Sequence, residues 1–342
     1  MATQGTSPTA PLVSAAAAHI PSPPVSGFHI GPLLIHYYAV MYLVGIAAAI
    51  YITRRRWVRA GGDPELMYDV AMWSVPAGII GGRIYFDITT PADIPHVWYG
   101  VIAVWGGGLG IWGAIPIAVL VGVWRVRRSG GSISLAMDAV APALLVAQGI
   151  GRIGNYFNKE LFGGPTSLPW GLAIPVGFRP AGYTAFAFFQ PTFLYELIWD
   201  FALAAFLVWL GHHRKIFAPG LFALYVTGYS AFRIFEESLR VDPSEHFLGL
   251  RLNMYVACAV TVAGAAWFVL IQRRGRRRAA AGLPAPELAA GNAQPSYQAR
   301  RDTDGVLTEA GAAGPGAEPA VDAAGSHGQT PDSEPAGNTS AD

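Results

Sequence analysis

Where the arginines stand limits the fold of this chain more than any other feature of the sequence. Seven apolar stretches occupy roughly residues 32–53, 67–88, 99–124, 133–153, 192–211, 218–239 and 253–272. Each comes near the ~20 residues that a helix needs to cross a hydrocarbon core of about 30 Å. Basic clusters follow only the odd-numbered stretches. They are Arg54, Arg55 and Arg56 after the first, and Arg125, Arg127 and Arg128 after the third. His212, His213, Arg214 and Lys215 follow the fifth, and Arg273, Arg274, Arg276, Arg277 and Arg278 the seventh. Cytoplasmic loops collect Lys and Arg, so one topology puts all four clusters on one side. It is an all-α polytopic membrane protein with seven transmembrane helices, the N-terminus outside and the C-terminus cytoplasmic. One span more or fewer would scatter the clusters across both faces, so the charges constrain the count.

Composition agrees with this. The chain is 52% apolar and 13% charged, which argues against the pair of soluble domains that 342 residues would otherwise suggest. A net charge of +1 gives no pull toward nucleic acid. The single cysteine, Cys258, lies in an apolar run, excluding a disulfide framework and a cysteine zinc cluster. No metal-ligand spacing is visible, and no cofactor is expected. Residues 1–26 are rich in Ala, Ser, Pro and Thr and lack the basic n-region of a secretory signal, so they read as an N-terminal extension. Residues 27–274 form the membrane domain. Residues 275–342, rich in Ala, Gly, Pro, Asp and Glu, bury too little apolar surface to offset chain entropy and read as a disordered cytoplasmic tail.

Charges inside membrane segments are costly and mark function. The topology sends most of them to one depth near the outer face. Arg152 and Asn155 lie at the outer end of the fourth span, Arg233 and Glu237 in the outer third of the sixth, and Arg83 and Asp87 near the outer end of the second. Tyr38 and Glu196 lie early in the first and fifth spans, which start outside. Arg233, Glu237 and Arg240 stand at i, i+4 and i+7, one helix face, and Arg152 and Asn155 at i and i+3, another. Snorkelling to the interface is the competing account of Arg83 and Arg240. Asp138 lies near the cytoplasmic start of the fourth span, where it would favour a helix N-terminus. Asp200, near mid-bilayer, has no role in this scheme. Planar guanidinium groups suit phosphate, and the phosphate at this depth belongs to a lipid headgroup. The residues alone therefore point to an outer-face site for an anionic lipid.

The stretch Gly151-Arg152-Ile153-Gly154-Asn155-Tyr156-Phe157-Asn158-Lys159-Glu160-Leu161-Phe162-Gly163 resembles the signature of bacterial prolipoprotein diacylglyceryl transferases, Gly-Arg-x-Gly-Asn-Phe-x-Asn-x-Glu-x-x-Gly, with Tyr156 in place of phenylalanine. "IHYYAVMYLVG" around Tyr38, "GGRIYF" around Arg83, "PTFLYE" ending at Glu196 and "GYSAFRIFEESLR" around Arg233 and Glu237 are similar to further family segments in the same order. The resemblance covers roughly residues 20–274. It implies transfer of the diacylglyceryl group of phosphatidylglycerol to the lipobox cysteine of a prolipoprotein signal peptide, with a thioether formed and glycerol phosphate released. It also implies a bacterial cytoplasmic (inner) membrane location among membrane lipids, with the site toward the outer leaflet. Arg152, Arg233, Glu237 and Tyr38 would be catalytic, and Arg152, Asn155, Glu160, Gly163, Arg83 and Arg240 would bind the lipid. Glu237 would orient Arg233 or accept the thiol proton. The nucleophile is the substrate's thiol, so the enzyme needs no cysteine of its own.

Departures occur in the third span, where Trp112 stands at a position that is histidine in many relatives and Gly106 where they have an acid. Gln190 and Phe193 replace a usual histidine and glutamine. With the arginines and glutamates kept, the sequence reads as an active enzyme in which that histidine is dispensable. The alternatives are a membrane lipid transporter or scramblase, which would line a path through the bilayer, and a catalytically degenerate homologue.

Overall fold

A computed structural model describes residues 19–241, 246–247, 249–284 and 287–289. Seven helices dominate: α1 (Tyr37–Arg59), α2 (Leu66–Thr89), α3 (Ile111–Arg128), α4 (Ile133–Asn158), α5 (Thr192–His213), α6 (Gly220–Leu239) and α7 (Leu252–Ala280). Four of them, α1, α4, α5 and α7, are long and apolar enough to cross a membrane. The other three carry charges that dilute their apolar character: Asp69, Arg83 and Asp87 in α2, three arginines ending α3, and Arg233, Glu236 and Glu237 in α6. Among the described residues, β-structure is limited to three two-stranded pairings and isolated bridges. The chain is thus a mostly helical membrane protein.

The helices differ from the expected spans at several ends, and three of these bear on the site. Residues 33–36 form a strand paired with residues 27–30, so α1 begins at Tyr37. Residues 99–110 hold two short 3-10 helices, Gly100–Ile102 and Val104–Gly106, and irregular chain, and α3 begins only at Ile111. Gly107 (φ 92°) and Gly108 (φ 77°) hold the left-handed backbone that glycine tolerates, which breaks the expected third span. In contrast, α4 continues past residue 153 to Asn158, taking Arg152 and Asn155 with it.

The centre of the assembly is α4, which packs against α1, α5 and α6. This helix is enclosed on opposite faces, with Ala139 and Ala143 on one and Ala141 and Leu145 on the other all fully buried. Helices α2 and α3 pack mainly on each other. A Cβ at Gly81 would lie 2.7 Å from the Gly113 carbonyl oxygen, so glycine is what permits this approach. Asp138 does serve a helix N-terminus, that of α6 and not that of its own helix. Ser132 caps α4, whereas the buried Asp138 carboxylate accepts the Phe222 N–H at 2.9 Å in the first turn of α6.

Both ends of the membrane domain reach beyond their expected boundaries. From His19 onward the N-terminal extension belongs to the fold. The Ile20 N–H donates to Gly171 O at 3.0 Å, and the Tyr156 hydroxyl donates to Pro21 O at 2.7 Å. The tail boundary at 275 falls inside α7, and residues 287–289 fold back on the α5–α6 connection. The Ala218 N–H donates to Glu287 O at 2.8 Å, and the Ala289 N–H to Ile216 O at 2.7 Å. Ala289 is fully buried in a cluster with Ala141, Leu145, Leu207 and Leu221. Residues 1–18 and the tail beyond 289 lie outside the described residues. A chain ended after Arg278 should therefore unfold roughly 3 °C or more below the full chain in detergent. One ended after Arg300 should match it; equal midpoints for all three would refute the contribution of this segment.

Candidate active site

The site is built where the last two turns of α4 meet the first turns of α5 and the last turns of α6. Arg152 Nη2 donates to Glu196 Oε1 at 2.5 Å, and Arg152 Nη1 to Asn155 Oδ1 at 3.3 Å. Arg233 Nη1 lies 3.5 Å from Glu196 Oε2. One carboxylate on α5 therefore touches the guanidinium groups of both α4 and α6. The Tyr229 hydroxyl, one turn before Arg233, donates to Glu196 Oε1 at 3.1 Å.

Arg233 is held from its own helix as well. Its Nη1 donates to Glu236 and its Nη2 to Glu237 Oε2 at 3.0 Å. The other oxygen of Glu237 accepts from Arg251 Nε at 2.6 Å and Asn253 Nδ2 at 3.2 Å. With both oxygens taken by donors, Glu237 is placed to orient Arg233. Burial divides the cluster: the side chains of Glu196, Glu236 and Glu237 are 0–1% exposed, those of Arg152 and Arg233 17% and 20%. Carboxylates form the back of the site and guanidinium edges its open face.

The chain after α4 turns back to close one side. Lys159 (φ 56°) and Leu161 (φ 55°) are both left-handed without being glycine, a strained arrangement of the kind concentrated at functional sites. Between them Glu160 Oε1 accepts from Asn155 Nδ2 at 2.9 Å and Asn158 Nδ2 at 3.1 Å. Gly163 and Arg240 meet as backbone partners in an antiparallel bridge. A Cβ on Gly163 would lie 3.0 Å from Leu239 O, so this tie between the loop and the end of α6 needs glycine. Tyr38 reaches the cluster from α1: its ring packs on Gly154, its hydroxyl donates to Tyr42 at 3.0 Å, and Arg152 and Glu160 are within electrostatic reach.

Arg152, Asn155, Glu160, Arg233, Glu237 and Tyr38 thus converge as the sequence suggests, with Gly163 and Arg240 beside them. Arg83 does not join. Its guanidinium donates to the carbonyls of Gly100 (2.5 Å), Val101 (2.8 Å) and Gly107 (3.0 Å) and pairs with Asp87 at 3.0 Å. It therefore staples the α2–α3 connection and has little capacity left for a ligand. Trp112 is 64% exposed, with an orientation that suits lipid contact. Asp200 is fully enclosed one turn below Glu196, opposite Gly149.

Sequence reasoning placed Glu196 at the right depth without giving it a role, and missed Tyr229, Glu236, Arg251 and Asn253. Helical spacing carries the signal for two of these, since Tyr229 and Glu236 stand at i−4 and i+3 from Arg233. Arg251 and Asn253 lie beyond a loop and have no local signature.

A helical membrane protein with a buried arginine–carboxylate cluster at its helix ends is the class these features define. The profile of the prolipoprotein diacylglyceryl transferase family matches residues 25–270, and the chain belongs to that family. It is 42% identical over 281 residues to a phosphatidylglycerol–prolipoprotein diacylglyceryl transferase of Bifidobacterium adolescentis, covering 76% of this chain and 82% of that one. The correspondingly named protein of Cutibacterium acnes is 43% identical over 259 residues, 75% of this chain and 87% of its own. A second transferase of this name from Streptomyces coelicolor is 42% identical over 274 residues, 75% and 82% of the two chains.

Proposed function

We propose that this chain transfers the diacylglyceryl group of phosphatidylglycerol to the lipobox cysteine of prolipoproteins, with Arg152 and Arg233 as the clamp on the lipid phosphate. The observation that carries this is the meeting of two partly exposed guanidinium groups on one buried carboxylate. The protein crosses the cytoplasmic membrane of a bacterium seven times, N-terminus outside, and the cluster opens toward the outer leaflet, where phosphatidylglycerol and the signal peptide both arrive.

In the reaction the substrate's sulfur forms a bond to the primary carbon of the diacylglyceryl group as the bond from that carbon to the phosphate oxygen breaks. The electron pair of the broken bond stays with glycerol phosphate, which gains one negative charge, and the thiol's proton offsets it. Donors already aimed at the leaving phosphate stabilise that charge without reorganising. Glu237, anchored by Arg251 and Asn253, keeps Arg233 aimed, while Asn155 and Glu160 fix the α4 side. Tyr38 borders the site from α1. The clamp needs no histidine at position 112.

Purified protein in phosphatidylglycerol vesicles should add one diacylglyceryl group to a lipobox peptide and release one glycerol phosphate, both measured by mass spectrometry. A peptide left unmodified by folded protein would overturn the assignment.

A further inference from the structure

Glu196 takes no part in the steps above, yet among the described residues it alone bonds to or pairs with both Arg152 and Arg233. We propose that Glu196 is the positioning residue of the phosphate clamp: it holds the two guanidinium groups at one spacing and one angle, and it restrains ground-state binding of the lipid anion in doing so. This rests on the phosphate-clamp reading.

Three features support the role. The carboxylate is fully buried behind the arginines, so it acts through them and does not touch the lipid. Its two oxygens are divided between helices. Oε1 faces Arg152 on α4, and Oε2 faces Arg233 on α6, with no hydrogen-bond donor of its own. Tyr229 donates to Oε1, which stops the carboxylate from rotating toward one arginine at the expense of the other. Two like charges brought close enough to share one phosphate repel each other, and an anion between them at hydrogen-bond distance offsets that repulsion.

The same negative charge lies next to any phosphate the arginines bind. It therefore opposes the singly charged lipid in the ground state, while the geometry it imposes is realised when the leaving phosphate gains its second charge. Removing an interaction of this kind lowers kcat and KM together. A glutamine at this position keeps an oxygen for Arg152 and Tyr229, but turns an amide N–H₂ toward Arg233 Nη1, donor against donor.

The test uses the full chain in phosphatidylglycerol vesicles with a lipobox peptide, comparing wild type with Glu196→Gln and Glu196→Asp. The readouts are kcat, KM for the lipid, inhibition by added glycerol phosphate, and the unfolding midpoint. Glu196→Gln is expected to lower kcat about 10²-fold, the scale of a misplaced reacting group. It should also lower both KM and the glycerol phosphate inhibition constant by about threefold or more, because an opposing charge is gone. Glu196→Asp keeps the charge and a near wild-type inhibition constant, with kcat between the other two. A merely structural residue would change the folded fraction without tightening glycerol phosphate. Wild-type kcat, or unchanged or raised KM and inhibition constants in Glu196→Gln, overturns the proposal. If Glu196→Gln does not fold, Glu196→Asp decides alone: kcat lowered about tenfold or more at constant inhibition supports it, and unchanged kcat overturns it. Arg152→Ala in the same assay checks the underlying reading, since inhibition by glycerol phosphate that survives this change would remove the clamp itself.

Discussion

Replacing Arg152 or Arg233 with alanine should reduce thioether formation by about 10²–10³-fold, the range for loss of a preorganised donor to a developing anion. The cost has two sources. The leaving phosphate loses its charge partner, and buried carboxylates lose theirs: Glu196 in the first case, Glu196, Glu236 and Glu237 in the second. Arg233 has more carboxylates to satisfy, so Arg233→Ala should also give the larger fall in unfolding midpoint. Lysine keeps the charge but not the planar fork and should restore only part of the activity at either position. Because both arginines act on one group, the double alanine variant should lose little beyond the worse single variant. Labelled phosphatidylglycerol and a lipobox peptide supply the measurement. Near-normal rates in either single variant would remove the clamp from the mechanism.

The second large effect is expected at Gly154, which carries no functional group. A Cβ there would lie 2.5 Å from Tyr38 Cδ2 and 3.2 Å from Tyr38 Cα. The second contact is with backbone, so a rotamer change cannot relieve it and α1 must move away from α4. Gly154→Ala should thus displace Tyr38 from the cluster and lower the rate about 10²-fold, with Gly154→Val worse. Tyr38→Phe separates the two contributions by removing the hydroxyl while leaving the ring in place. If Gly154→Ala has wild-type activity, close approach of α1 is not needed for turnover.

The seven apolar runs were enough to locate seven helices, and the four basic clusters marked where the odd-numbered runs end. They could not locate the start of α3. Residues 99–110 are apolar enough to extend the run, but Gly107 and Gly108 put the chain into left-handed turns, and the Arg83 guanidinium gathers the carbonyls those turns expose. That second fact also explains why Arg83 looked like a lipid ligand: charge and depth are legible in a sequence, whereas the partners that consume a charge are not. The meeting of Arg152, Arg233 and Glu237 was legible from depth and helical spacing. Glu196 was visible only as one more polar group at that depth, since its importance comes from touching two helices distant in sequence. Arg251 reaches Glu237 from beyond a loop, a relation no local pattern contains.

The pairing of residues 287–289 with the α5–α6 connection has a bearing on biosynthesis. The turn at Ile216, Phe217 and Ala218 leaves the ribosome well before its partner segment, which follows the last helix. Leu207 and Leu221 wait, with one side of their cluster open, until Ala289 arrives. The chain thus finishes this core with a piece made after all seven helices. Translation that stops at the end of α7 would leave all seven helices in place and the closure missing, a distinction that cellular quality control can read.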